Sequence, residues 1–175
     1  MSKFREYPEI PFGDEVFYKK AWDFIDNIFS NLLDEEELSN FLTLGKDIKE
    51  SFIELDSYFL KITKQKCRFC IDHCCVNRHG FPDFEDLIVR RSMKLSLLEY
   101  DFSVIDTKDC QFLGKTGCIL KRFERSYRCS WYFCDEVFDY FEKNDQKAFL
   151  QFEDGLFKIG QKRQKLLRDF YILAF

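Results

Sequence analysis

The chain has 175 residues, of which 46% are hydrophobic and 33% are charged. This is enough apolar material to bury a core, so general disorder is excluded. With 22 Phe but only 7 Gly and 3 Pro, the composition favours helices over a β-sandwich or barrel. No apolar run approaches the roughly 20 residues of a membrane span. Residues 1–8 lack the apolar stretch of a secretory signal, so a cytoplasmic location is expected.

Two amphipathic helices are predicted in the N-terminal part, residues 1–66. Asp14 is the expected N-cap of the first helix. Its apolar face is predicted to contain Phe17, Ala21, Phe24, Ile28 and Leu32. Asp34 and Glu37 form a capping-box pattern before the second helix, which is predicted over 35–64. Its apolar positions recur every three or four residues and are Leu38, Phe41, Gly45, Ile48, Phe52, Leu55, Phe59 and Ile62.

The C-terminal part, residues 135–175, has the same periodicity and is predicted to supply a partner helix. Either Asn144 caps this helix, or residues 135–143 continue into it. A shorter helix is predicted to begin after Asp83 and to carry apolar residues as far as Leu98. Residues 110–120 are predicted to form a short hairpin. The predicted fold is mainly α and forms a single domain over 1–175. In it, long antiparallel helices frame an irregular cysteine-rich metal-binding segment with at most a short β-hairpin.

All eight cysteines lie in the middle part, residues 67–134, and the slightly longer segment 61–134 has 14 basic and 9 acidic residues in a chain of net charge −4. Eight cysteines could form four disulfides, but cytosolic thiols stay reduced, so metal ligation is the preferred interpretation. Eight cysteines fit two arrangements equally well: two tetrahedral sites, or one four-cysteine cluster with four other thiols. The basic charge is interpreted as compensation for thiolates rather than as a nucleic-acid surface.

The cysteines form three groups. The first has the spacing C-x2-C-x3-C-C, and a C-x2-C turn brings two sulfurs onto one metal. Because neighbouring side chains tend to diverge, Cys74 and Cys75 are expected to serve different metals, or one of them is expected only to pack nearby. The cysteines of the other two groups are expected to deliver single ligands from separate turns. His73 is a candidate zinc ligand. The predicted ligands are Cys67, Cys70, Cys74, Cys75, Cys110, Cys118, Cys129 and Cys134.

In this order the groups resemble the CxxCxxxCC cysteine-cluster proteins (YkgJ-like), which are described as zinc- or iron-chelating. The opening motif is complete, and Cys110-Gln111-Phe112-Leu113 matches the C-x-F-L segment of the family. Arg125 to Cys129 corresponds to its R-P-x-x-C, with Ser126 in place of the proline. The resemblance covers residues 67–134 and implies a metal centre built from the cysteines. One relative, the flagellin lysine methylase, carries a similar cysteine domain, which leaves a protein-modifying role open.

An iron–sulfur cluster, with [4Fe–4S] as one form, is preferred over zinc because an all-cysteine ligand set suits it. Neighbouring aromatic residues, Phe69, Phe112, Trp131, Tyr132 and Phe133, could exclude water from it. The basic residues that could stabilise its thiolates are Arg68, Arg122, Arg125 and Arg128. The predicted function is therefore redox or protein-modifying, and the alternative is a zinc-ordered structural or protein-binding module without catalysis. A protein partner is expected. Binding to a membrane or to a nucleic acid is not expected.

Overall fold

The structure, a computed structural model, describes residues 10–67, 74–132 and 134–175. For residues 57–66 and 136 it describes only the backbone. It confirms the predicted fold class, because these ranges are mainly helical with one two-stranded hairpin. None of the helices described is long and apolar enough to cross a bilayer. The longer helices are α1 (Glu15–Asn27), α2 (Glu35–Lys66), α4 (Phe84–Ser92), α6 (Asp135–Asn144) and α7 (Gln146–Ala174), and the short ones are α3 (Asn77–Gly80) and α5 (Tyr127–Trp131).

Helix α1 begins where predicted, because the Asp14 carboxylate accepts a hydrogen bond from the Phe17 backbone N–H at 2.9 Å. The observed apolar face includes the predicted Ala21 and Ile28, but it is rotated relative to the prediction. Tyr18, Ala21 and Ile25 are buried, whereas Phe17 and Phe24 are exposed. The Tyr18 hydroxyl explains the rotation, since it donates to the Leu98 carbonyl at 3.1 Å and so has a partner inside the protein. A π-helical turn, Ile28–Leu32, then buries Ile28 and Phe29 and leaves Leu32 exposed.

Helices α2 and α7 form the antiparallel pair that the sequence predicts. The Asp34–Glu37 capping box is present, with both reciprocal hydrogen bonds at 2.8 and 3.0 Å. The direction follows from three contacts: Phe41 with Phe170, Ser51 with Lys162, and Leu55 with Gly155. The apolar face of α2 is buried at Phe41, Ile48, Phe52 and Leu55. Each such side chain contributes about 1.5–3 kcal/mol by leaving water. The side chains of Phe59 and Ile62 lie outside the described part.

Helix α4 begins at the predicted cap but ends earlier than predicted. Asp83 and Asp86 form its capping box. The chain leaves the helix after Ser92, and Lys94 adopts the left-handed conformation, with φ at 57°. Arg90 then donates from Nε to the Ser96 carbonyl and fixes the turn. Leu98, predicted to lie on the helix, packs instead in a small cluster with Tyr100 and Phe112.

The predicted hairpin is present, and the C-terminal part is divided into two helices. Strands β1 (Leu113–Gly114) and β2 (Gly117–Cys118) pair antiparallel, and Gly117 has a φ of 109° in the turn. Asp145, rather than Asn144, caps α7 by accepting from the Ala148 backbone N–H at 3.0 Å. Residues 135–143 do not run straight into α7, because α6 ends before this cap.

Candidate metal centre

Five cysteines from all three sequence groups line one cavity of about 80 Å³. Its other walls are mainly apolar and include Val76, Phe112 and Leu113. The structure records four of these cysteines as free thiols. The lining cysteines are Cys74, Cys75, Cys110, Cys118 and Cys129.

A short β-bridge joins the first two cysteine groups. Val76 bridges Asp109, and the Cys110 backbone N–H donates to the Cys75 carbonyl at 2.8 Å. Asn77, with 0% of its surface exposed, anchors this bridge. Its side chain donates to the Val104 carbonyl at 2.9 Å and accepts from the Gln111 amide groups at 3.1 and 3.3 Å. Its own carbonyl accepts from the Tyr100 hydroxyl at 3.0 Å. A fully satisfied buried amide of this kind fixes the loop in one conformation.

The remaining cavity cysteines come from the hairpin and from α5. Cys118 pairs with Leu113 in the hairpin register. The Cys129 thiol donates to the His79 carbonyl at 3.1 Å, and the Ser126 hydroxyl donates to the same oxygen at 2.6 Å. These bonds hold α5 against α3. Close approach also requires a glycine, because a Cβ at Gly80 would lie 2.7 Å from the Cys110 sulfur.

The adjacent cysteines do not diverge as the sequence analysis expected. Cys74 and Cys75 both line the cavity. Their side chains are hydrogen-bonded to each other, and this bond is the largest cause that raises the pKa of the Cys75 thiol. The backbone explains the difference, because residue 74 lies in a bend outside any helix or strand, where alternation of side-chain direction does not apply.

Burial favours the protonated form of two cavity thiols, Cys110 and Cys129, in the metal-free chain. It raises the pKa of Cys110 to about 11, and it is also the largest cause that raises the pKa of Cys129. The charge of Cys118 raises both pKa values further, whereas the Arg125 guanidinium lowers both. A metal that binds here must therefore displace protons.

The predicted basic residues take different positions. Arg125 lines the cavity and donates from two nitrogens to the Leu120 carbonyl at 3.1 and 2.9 Å, and Arg128 lines it from an exposed position. Arg122 is 1% exposed and binds Asp56 at 2.7 Å and the Ser130 carbonyl at 3.1 Å. It therefore ties α5 to α2. Arg68 lies outside the described residues.

The other predicted ligands are not all at the cavity. Cys67 follows α2, and its charge raises the pKa of Cys75. Cys134 packs against the small apolar cluster of Val137 and Phe141. Cys70 and the candidate zinc ligand His73 lie outside the described residues, as do Phe69 and Phe133. Of the described aromatic residues, Phe112 is a buried wall, whereas Trp131 and Tyr132 are 46% and 47% exposed. Tyr132 nevertheless lines the cavity, whereas Trp131 is not among its lining residues.

One cavity donor was missed by the sequence analysis. The ring of His79 lines the cavity, and its Nδ1 lies 3.3 Å from the Cys74 carbonyl oxygen. The only signal in the sequence was its place four residues after the cysteine pair, in a chain with 2 His.

Within residues 10–67, 74–132 and 134–175, no group of three or more Cys, His, Asp or Glu side chains is arranged to hold a metal ion. Comparisons with protein-family models, with curated proteins and with solved structures find no match to this chain.

Proposed function

We propose that this protein holds an iron–sulfur cluster in the cysteine-lined cavity and serves a redox or protein-modifying role. The single observation that carries the proposal is the convergence of Cys74, Cys75, Cys110, Cys118 and Cys129 on one cavity of about 80 Å³. Thiolates are the ligands of iron–sulfur clusters, and each iron of a cluster takes its own thiolate. Five lining thiols exceed the four donors, at about 2.0–2.3 Å, that a single zinc ion takes, so this lining suits a polynuclear centre better.

The surroundings of the cavity support this choice. Apolar walls at Val76, Phe112 and Leu113 limit water, and Arg125 places a positive charge against thiolates. Both features stabilise a buried cluster and tune its potential. When bound, the cluster would supply one-electron transfer, and the chain's own residues would bind it, exclude water and offset its charge. The free thiols recorded for Cys75, Cys110, Cys118 and Cys129 fit a reducing compartment, and we propose the cytoplasm.

A protein partner is the second element of the proposal. Trp131 and Tyr132 are about half exposed beside the cavity, and Ile119 next to Cys118 is 70% exposed. Exposed aromatic and aliphatic side chains at the mouth of a site are typical of a surface that contacts another protein. Such a surface would serve a zinc-ordered binding module equally well, so zinc remains the alternative metal.

Paired serine variants test the proposal. Cys118→Ser removes a cavity thiol, whereas Cys134→Ser removes a thiol that packs beside Val137. We expect anaerobically purified Cys118→Ser to lose most of its iron and sulfide. The Cys134→Ser protein should keep much more of both. Equal and full metal content in the wild type and in both variants would show that the cavity is not the metal site.

A further inference from the structure

The cavity contains a nitrogen donor in addition to its sulfurs. His79 belongs to α3, and its main chain is held from three sides. Its backbone N–H donates to the Val76 carbonyl at 3.0 Å. Its carbonyl accepts from the Ser126 hydroxyl at 2.6 Å and from the Cys129 thiol at 3.1 Å. His79 is one of the residues that line the cavity, so its side chain is carried at the cavity wall by a fixed backbone.

The hydrogen bond of the ring selects its tautomer. Nδ1 lies 3.3 Å from the Cys74 carbonyl oxygen, which can only accept a hydrogen bond. In the tautomer that makes this hydrogen bond, the proton is on Nδ1 and Nε2 keeps its lone pair. Metal-binding histidines have this arrangement, with one ring nitrogen donating to a backbone carbonyl while the other binds the metal.

The surroundings favour a neutral nitrogen ligand. Among the described residues that line the cavity there is no carboxylate, so the candidate ligand atoms there are the cysteine sulfurs and the His79 nitrogen. Five thiolates would place a large negative charge in a partly buried site, opposite Arg125 and Arg128 alone. Each neutral imidazole that replaces a thiolate lowers this charge by one, which reduces the desolvation cost.

We infer that His79 binds the metal centre through Nε2, so that the ligand set is mixed sulfur and nitrogen. This inference rests on the proposed function and makes it more specific. Histidine in place of cysteine raises the reduction potential of a cluster, as it does in Rieske centres. Loss of the His79 ring should therefore weaken metal retention, and its replacement by a thiol should lower the potential.

The direct test uses the wild-type protein. Anaerobically purified protein, labelled with ¹⁵N only at histidine and reduced with dithionite, is examined by pulsed EPR for the strong coupling of a directly bonded nitrogen. We expect that coupling in the wild type and its absence in His79→Cys. We also expect His79→Asn to lose iron to a chelator at least tenfold faster, whereas the control variant Arg168→Gln, on the exposed surface of α7 and outside the cavity lining, behaves as the wild type does.

The outcomes separate the two proposals. A cluster without nitrogen coupling, together with wild-type iron loss in His79→Asn, overturns the role of His79 and leaves the cluster in place. Wild-type protein that holds no iron and sulfide, even after anaerobic reconstitution, overturns both. His79→Cys keeps a donor at this position, so it yields a spectrum and a potential even if His79→Asn fails to fold.

Discussion

The backbone N–H of Cys110 donates to the carbonyl of Cys75 at 2.8 Å, so two cysteines from different sequence groups lie side by side. The buried side chain of Asn77 holds this contact in place through Val104 and Gln111. The cavity therefore depends on a hydrogen-bonded loop more than on regular secondary structure.

Asn77→Ala should destabilise the protein and reduce its metal content. The change leaves the Val104 carbonyl and the Gln111 N–H without their buried partner, which costs about 1–3 kcal/mol for each such group. We expect the free energy of unfolding, measured in urea, to fall by about 2–4 kcal/mol. Ser103→Ala, in an exposed turn of the same loop, is the control and should change it by less than about 0.5 kcal/mol. Equal values for the two variants would refute the anchoring role of Asn77.

Gly80→Ala should displace a cavity sulfur. A Cβ at this position would lie 2.7 Å from the Cys110 Sγ, so the thiol or the helix must move. We expect at least a twofold loss of bound metal per chain, measured by elemental analysis. Gly160→Ala is the matched control because it makes the same chemical change in α7, where the nearest atom is the Tyr127 hydroxyl at 3.2 Å. Full metal content in Gly80→Ala would mean that the cavity is less tightly packed than described.

Asp86 should make stability depend on pH. Burial and the nearby Asp83 raise its pKa to about 7, although Arg163 at 3.1 Å opposes the shift. Between pH 4 and pH 7 the folded protein therefore binds a proton that the unfolded chain has released. The free energy of unfolding should thus fall as pH rises through this window, by up to about 1.4 kcal/mol per pH unit.

Asp86→Asn isolates this contribution. The variant cannot ionise at this position, so its stability should fall less steeply than that of the wild type over the same window. Urea unfolding at half-unit pH steps, with both proteins in the same metal state, measures the difference between the two slopes. Parallel curves would contradict the raised pKa of Asp86.

Metal binding should release protons. Burial raises the pKa of Cys110 to about 11, so at neutral pH this thiol is protonated before metal arrives. We expect Co²⁺ added to metal-free protein in weak buffer to release about one proton per cysteine ligand, measured with an indicator dye. The apparent affinity should rise with pH for the same reason. Binding without proton release would show that the sulfurs were already ionised.

Local sequence signals predicted much of the helical frame. Asp14, Asp34 and Asp83 begin helices because each carboxylate accepts a hydrogen bond from a backbone N–H in the first turn. The periodicity of α2 and α7 predicted their pairing, because long apolar faces need each other for burial. The apolar face of α1 is rotated relative to the prediction because periodicity alone ignores the Tyr18 hydroxyl, which finds its partner at Leu98. The end of α4 was missed because Lys94 takes a left-handed conformation that is uncommon outside glycine.

The candidate site was predictable in its residue types but not in its arrangement. Cysteine spacing predicts a metal-binding segment, which stays a prediction, and it could not show that Cys74 and Cys75 line one cavity while Cys134 packs beside Val137. Those positions depend on contacts distant in sequence, such as Cys129 with His79. The His79 ring was missed for the same reason, since its neighbours come from later turns of the chain.

The most direct test of the cluster is the quantity of iron, acid-labile sulfide and zinc per chain in anaerobically purified protein, measured together with its visible absorption spectrum. We predict iron and sulfide in equal amounts and a visible band that bleaches on reduction. Stoichiometric zinc in a colourless protein, without iron or sulfide, would contradict the cluster and point to the zinc-ordered binding module.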